Sequence, residues 1–152
     1  MLYFIALLST AMIFMLVSIA DAAPFAYITN HNSNNVSVID TAKDAVTATV
    51  NVGSLPWGTA VTPEGTKVYI TNEVSNNVSV IDTATNTVST SVNIGSYPSG
   101  IAVNPEGTKV YVANWGSNTV SIIDTATNTI SSTVNVGNNP FGVAVTPFPL
   151  YK

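Results

Sequence analysis

The chain has 152 residues, a formal net charge of −4, four Lys, no Arg and no Cys. That length suits one domain of ordinary size. The scarcity of cations argues against nucleic-acid binding, which needs clustered Lys or Arg against phosphates. The absence of Cys excludes disulfides and thiolate metal sites. Ser and Thr far outnumber the charged residues, a balance that favours pleated, half-buried strands.

In chain order the first element is an apolar run. Leu2 to Ala20 carry no charged side chain, and Ala20-Asp21-Ala22 follows with the small residues that a signal peptidase reads. Residues 1–23 are expected to form a hydrophobic helix, a signal peptide cleaved after Ala22 or Ala23. An uncleaved membrane anchor is the alternative, because the run is long enough to span a bilayer. Either way the rest of the chain is expected outside the cytoplasm, secreted or at the cell surface.

From Pro24 onward the sequence repeats every 42 residues without an insertion. Tyr27, Tyr69 and Tyr111 keep this step, as do Asp40, Asp82 and Asp124, and Gly53, Gly95 and Gly137. A fixed period near 40 means one supersecondary unit stacked on copies of itself. The copy at 57–94 shows the unit. Trp57 to Thr62 reads as a short strand and Pro63-Glu64-Gly65-Thr66 as a turn. Lys67 to Asn72 and Asn77 to Asp82 are the next strands. Thr83-Ala84-Thr85-Asn86 turns the chain, with Asn86 left-handed, and Thr87 to Ile94 is the fourth strand.

The first strand is made of small residues, as expected where blades crowd an axis, and the fourth alternates apolar and polar. The middle strands are apolar on both faces, so both faces need cover. The predicted fold is all-β: a partial β-propeller of about three four-stranded antiparallel blades. The expected division is an incomplete blade at 24–56, blades at 57–98 and 99–140, a further first strand at 141–147, and a non-repeat tail at 148–152.

The strings Tyr27-Ile28-Thr29-Asn30, Tyr69-Ile70-Thr71-Asn72 and Tyr111-Val112-Ala113-Asn114, with the Val-Ser-Val-Ile-Asp-Thr-Ala-Thr-Asn-Thr pattern that follows, resemble the YVTN family of β-propeller repeats. The resemblance covers residues 24–147. It implies a cell-surface or surface-layer protein, and usually a seven-bladed ring. Twelve strands, three blades' worth, are too few to close one, since propellers close with roughly four to eight blades. Two readings follow. A second chain supplies the missing blades in a six-bladed ring, or the chain is part of a longer gene. The departure from the repeat at Phe148-Pro149-Leu150-Tyr151-Lys152 favours the second.

The expected partners are therefore other blades, with cell-envelope proteins or glycans as further candidates and membrane contact only through residues 2–20. Two loop sets vary between copies and are expected on one face. His31, Glu73 and Trp115 occupy one position; Leu55, Tyr97 and Asn139 occupy the other, followed by Trp57, Ser99 and Phe141. Variable loops on a regular scaffold are where specificity is written, and Tyr97 and Trp115 suit stacking on a sugar or a partner side chain as well as packing between loops.

Asp40, Asp82 and Asp124 are read as caps of their own turns rather than as cation ligands. Glu64 and Glu106 are read as solvated turn residues. Asn35-Val36-Ser37 and Asn77-Val78-Ser79 are N-glycosylation sequons; the third copy reads Asn118-Thr119-Val120 and lacks one. His31 is the single histidine, too few for a triad or a transition-metal site.

No catalytic residue, metal ligand or cofactor is assigned. The expected function is an exported surface repeat protein with a structural, adhesive or protein-interaction role. The alternative is a fragment of a propeller enzyme, lactonase-like or periplasmic dehydrogenase-like.

Overall fold

The computed structural model describes residues 24–147. The expected hydrophobic helix and signal segment at 1–23, and the tail at 148–152, lie outside the described residues. Three antiparallel meanders follow one another. The first is β1 (Phe25–Asn30), β2 (Asn35–Asp40) and β3 (Ala45–Asn51). The second is β4 (Pro56–Val61), β5 (Lys67–Asn72), β6 (Asn77–Asp82) and β7 (Thr87–Asn93). The third is β8 (Pro98–Val103), β9 (Lys109–Asn114), β10 (Thr119–Asp124) and β11 (Thr129–Asn135). Each strand pairs only with its chain neighbours, so the sheets run β1-β2-β3, β4-β5-β6-β7 and β8-β9-β10-β11. This is the partial propeller that the 42-residue period predicts.

The turns follow from their residues. Asp82 Oδ1 accepts from the Ala84 and Thr85 amides at 2.9 and 3.1 Å, and Asp124 Oδ1 accepts from Ala126 and Thr127 at 3.0 and 2.9 Å. Asp40 does the same with Ala42 and Lys43. Asp44, Asn86 and Asn128 then take left-handed φ of 49°, 52° and 53° to close each hairpin, a conformation that short polar side chains tolerate. Just before Asp40, Asp82 and Asp124, β2, β6 and β10 carry the same register shift, at Val38/Ile39, Val80/Ile81 and Ile122/Ile123. A bulge repeated at one position increases local twist, and twist lets the sheets fan.

The core lies between sheets. Tyr27, Val36, Val38 and Val50 of the first sheet pack on Val68, Ile70 and Ile81 of the second. Tyr69, Val78, Val80 and Val92 of the second pack on Val110, Val112 and Ile123 of the third. Fully burying such a side chain contributes about 1.5–3 kcal/mol. The apolar residues on both faces of β5 and β6 are thus covered from both sides, which is why the sequence shows no polar alternation there.

Polar ties join the sheets as well. Tyr27 Oη donates to Asn86 Oδ1 (3.2 Å), and Tyr69 Oη donates to Asn128 Oδ1 (2.9 Å). Thr29 Oγ1 donates to the Trp57 carbonyl and Thr71 Oγ1 to the Ser99 carbonyl, at 2.9 and 2.8 Å. Gly58 is required by this closeness, since a Cβ there would lie 2.6 Å from the Ser99 carbonyl oxygen.

The strand expected at 141–146 does not form, so eleven strands are present among the described residues rather than twelve. A strand exists only in a ladder. β4 and β8 each pair with the strand that follows them, and the segment at 141–147 has no such partner among the described residues. It is held instead by the Gly100 amide, which donates to the Phe141 carbonyl at 2.8 Å, and by Ser99 Oγ.

Candidate functional site

The two variable loop sets meet on one face, and a network of asparagines puts them there. Asn34, Asn76 and Asn118 are left-handed, with φ of 54°, 52° and 56°. Their side-chain oxygens accept from the amides of Leu55, Tyr97 and Asn139, each at 2.8–2.9 Å. Leu55, Tyr97 and Asn139 are themselves left-handed, at 53°, 50° and 54°. Leu and Tyr adopt this conformation at a cost of about 1–2 kcal/mol each. The carbonyls of Leu55 and Tyr97 then accept from the amides of Glu73 and Trp115, both at 3.0 Å. Each loop is therefore pinned to the next, and the side chains of both sets share a rim.

On that rim Trp57, Tyr97, Trp115 and Phe141 form a pocket of about 140 Å³, with Glu73, Pro98 and Ser99 completing its wall. Tyr97 and Trp115 meet edge to face, with centroids 6.2 Å apart, and Trp57 meets Phe141 the same way at 5.8 Å. His31 lies just outside. Its ring packs on Trp57 at 5.3 Å, and its Nδ1 is 3.2 Å from the Pro56 carbonyl.

The four rings remain between 45% and 56% exposed. Edge-to-face pairing fixes the rings while leaving area free, an arrangement suited to receiving a flat or apolar group. A cavity of this size elsewhere holds a benzene-sized group. Glu73 is the one carboxylate among the residues that line the pocket. Its carboxylate and the negative ring faces favour neutral or cationic groups over anions.

Of the six loop candidates, Glu73, Tyr97 and Trp115 line the pocket, while His31 buttresses it through Trp57. Leu55 contributes backbone. Asn139 donates from Nδ2 to the Trp115 carbonyl at 3.3 Å. Trp57 and Phe141 were not among the six, although they vary between copies. Their signal was the same as for the others, but only the fold brings residue 141 beside residue 57.

The remaining polar candidates serve the scaffold. Asn72 Nδ2 donates to Asn77 Oδ1 (2.7 Å) and Ser79 Oγ (2.9 Å). Asn30 holds Asn35 and Ser37 in the same way, both at 2.8 Å, and Asn114 holds Thr119 and Ser121. The Asn and Ser side chains of both sequons are thus acceptors for the last asparagine of the preceding strand. Glu64 and Glu106 are exposed in their turns.

Lys43 Nζ, 2.6 Å from Asp40 Oδ2, holds that carboxyl below its ordinary range. The Thr127 amide, followed by its hydroxyl, does so for Asp124. Burial, and then the Asp124 charge, push the Tyr69 phenol up to about 12.

Known structures share this architecture. Hydrazine synthase of Kuenenia stuttgartiensis superposes with a TM-score of 0.76 at 30% identity, covering 78% of this chain and 34% of that one. Dihydro-heme d1 dehydrogenase NirN gives 0.74 at 18% identity, covering 84% and 29%, and apo AztD from Citrobacter koseri gives 0.60 at 17%, covering 72% and 31%. The chain spans about a third of the length of these structures. No curated protein matches it. The profile of the YNCE-like beta-propeller family matches residues 62–148, more than half of the sequence. With three fanned meanders on a 42-residue step and this match, the chain belongs to the YNCE-like beta-propeller family.

Proposed function

We propose that this is an exported cell-surface repeat protein of the YVTN type, which works by binding a partner rather than by catalysis. The observation that carries this reading is the aromatic pocket on the loop face. Its four half-exposed rings are fixed by hydrogen-bonded loops and accompanied by one carboxylate. Such a wall suits the apolar face of a sugar ring in an envelope glycan, with the carboxylate accepting from its hydroxyls.

Trp57 and Trp115 are the two tryptophans of the chain, and both line the pocket. Intrinsic tryptophan fluorescence therefore reports on this site alone. Titration with soluble oligosaccharides from the cell envelope is expected to shift the emission, and Tyr97→Ala is expected to weaken the response by about tenfold, the loss of one stacked ring. An emission spectrum unmoved by envelope glycans, together with unchanged attachment of Trp115→Ala to whole envelopes, sinks the proposal. Export is tested separately, by sequencing the N-terminus of the extracytoplasmic form; a mature chain beginning at Ala23 or Pro24 is expected.

A second reading is favoured by the 30% identity to hydrazine synthase: the chain forms part of a propeller enzyme. On that reading the pocket substitutions leave envelope attachment untouched, and the purified protein retains a cofactor absorbance or opens a lactone.

A further inference from the structure

The loop-face pocket has more shape and more charge than a stacking platform needs. Its rings stand in two pairs, Tyr97 with Trp115 at an interplanar angle of 84° and Trp57 with Phe141 at 78°. A sugar lies against one open ring face. Two pairs set near right angles instead bound a corner-shaped space, about 140 Å³ here. That volume admits a compact group no larger than benzene, well short of a pyranose with its hydroxyls. A sugar therefore rests on the outer parts of these rings, and the space between them takes something smaller and rounder.

Two features show that the third loop copy is shaped around the Tyr97 ring. Tyr97 is held at φ 50°, a left-handed conformation unfavourable for a tyrosine. Gly116 follows Trp115, and a Cβ on it would fall 2.6 Å from Tyr97 Cδ2. The left-handed glycines of the described chain are Gly65 and Gly107, so no turn requires a glycine at 116. One and two periods earlier the same position holds Val74 and Asn32. The glycine makes room for the ring.

The electrostatics are one-sided. Glu73 stands half-buried in the wall. The one ion pair among the described residues joins Lys43 to Asp40, so the Glu73 carboxylate has no counter-cation among them. No Lys lines the pocket, and the chain has no Arg. The Glu73 and Trp115 amides donate to the carbonyls of Leu55 and Tyr97, and the Tyr97 amide donates to Asn76 Oδ1. The Ser99 hydroxyl donates to the carbonyls of Ala113 and Pro140. An anion finds none of these donors free, whereas ring faces and carboxylate both attract positive charge. A primary ammonium or a guanidinium needs an acceptor for each N–H, and the wall offers one carboxylate. A quaternary ammonium has no N–H to satisfy, is rounded, and carries its charge beneath methyl groups that pack on rings.

We infer that the pocket takes a quaternary ammonium group of the trimethylammonium kind, with Trp57, Tyr97, Trp115 and Phe141 around it and Glu73 as its counter-charge. The inference rests on the pocket being the binding site proposed above, and it names the chemistry that enters, whether the group is free or borne on a glycan.

The test is calorimetric titration of the purified full chain, in non-ionic detergent, with tetramethylammonium chloride and with choline. Sodium chloride at equal ionic strength is the blank, and 3,3-dimethylbutan-1-ol, the neutral carbon analogue of choline, is the control. Both cations are expected to bind saturably at roughly 1 mM, and about tenfold more tightly than the neutral alcohol. Trp115→Leu is expected to weaken the cations about tenfold. Glu73→Gln is expected to weaken them several-fold and to leave the alcohol unchanged. Both side chains lie at the surface, so the unfolding midpoint is expected to stay at the wild-type value. No binding of tetramethylammonium up to about 100 mM, equal affinity for choline and its neutral analogue, or cation binding indifferent to both substitutions overturns the inference. If tetramethylammonium is silent while envelope oligosaccharides shift the tryptophan emission, the quaternary group fails and the glycan reading stands. If tetramethylammonium binds and the oligosaccharides do not, the quaternary site stands with a free ligand and the glycan reading alone fails.

Discussion

Asn72 is the sharpest single test of how one sheet is held. Its side chain is fully buried, and its Nδ2 donates to Asn77 Oδ1 and to Ser79 Oγ. Asn72→Ala removes two hydrogen bonds at about 1 kcal/mol each. It leaves the Ser79 hydroxyl, itself 2% exposed, without its donor, a further ~1 kcal/mol or more. It also opens space beside Gly53, whose backbone approaches so closely that a Cβ there would sit 2.7 Å from the Asn72 amide carbon. Against this, the substitution also removes Asn72 Oδ1, a buried acceptor without a hydrogen-bond partner, which offsets about 1 kcal/mol. The net loss is about 2–3 kcal/mol, a large fraction of a 5–15 kcal/mol domain.

In urea, with a slope of about 1–3 kcal/mol/M, the midpoint is expected to fall by roughly 1–3 M. Ser79→Ala alone leaves Asn72 with one bond, and the double variant removes both partners together. The pair is therefore expected to be less destabilising than the sum of the singles by about 1 kcal/mol. Costs that add within about 0.3 kcal/mol, or an Asn72→Ala loss under about 1 kcal/mol, would refute this account of the triad.

Three further outcomes are expected. The Tyr69 phenol is raised from 10.0 to about 12 in the folded chain, so its contribution is intact below pH 10 and lost as pH rises from 10 towards 12; Tyr69→Phe should flatten that alkaline limb when the unfolding midpoint is followed by circular dichroism. Asp124 is held below its ordinary 3.8, so its contribution is present above that pH and lost on acidification below it; Asp124→Asn, which keeps the acceptor, should blunt the acid limb, and an unchanged limb counts against the turn as a source of acid lability. Leu55 sits at φ 53°, where Asn stands in the third copy, and Leu55→Asn should stabilise the chain by about 1 kcal/mol; a lowered urea midpoint would show that the leucine side chain contributes more than its backbone strain costs.

The fold was legible because its information is local and repeated three times. Pro-Glu-Gly turns, an aspartate before each hairpin and strands apolar on both faces dictate a meander that needs cover on two sides. The left-handed Asn86 and Gly65 could be placed from side-chain chemistry alone, and the structure has them at φ 52° and 69°. The strand expected at 141–146 failed for the complementary reason. Its residues have strand character, but a strand is a relation to a partner, and none is paired with it among the described residues.

The site was legible only by halves. Variation between copies marked Glu73, Tyr97 and Trp115, since a loop that departs from its repeat is not serving the repeat. Nothing local marked Phe141 as a neighbour of Trp57, or the sequon residues as acceptors for Asn30 and Asn72. Sequence by itself determined the unit, its turns and its period, because each depends on residues a few positions apart. Tertiary structure decided which rings meet and which apolar halves are covered, because those contacts join residues one full blade apart, where only the fan of the sheets sets the distance.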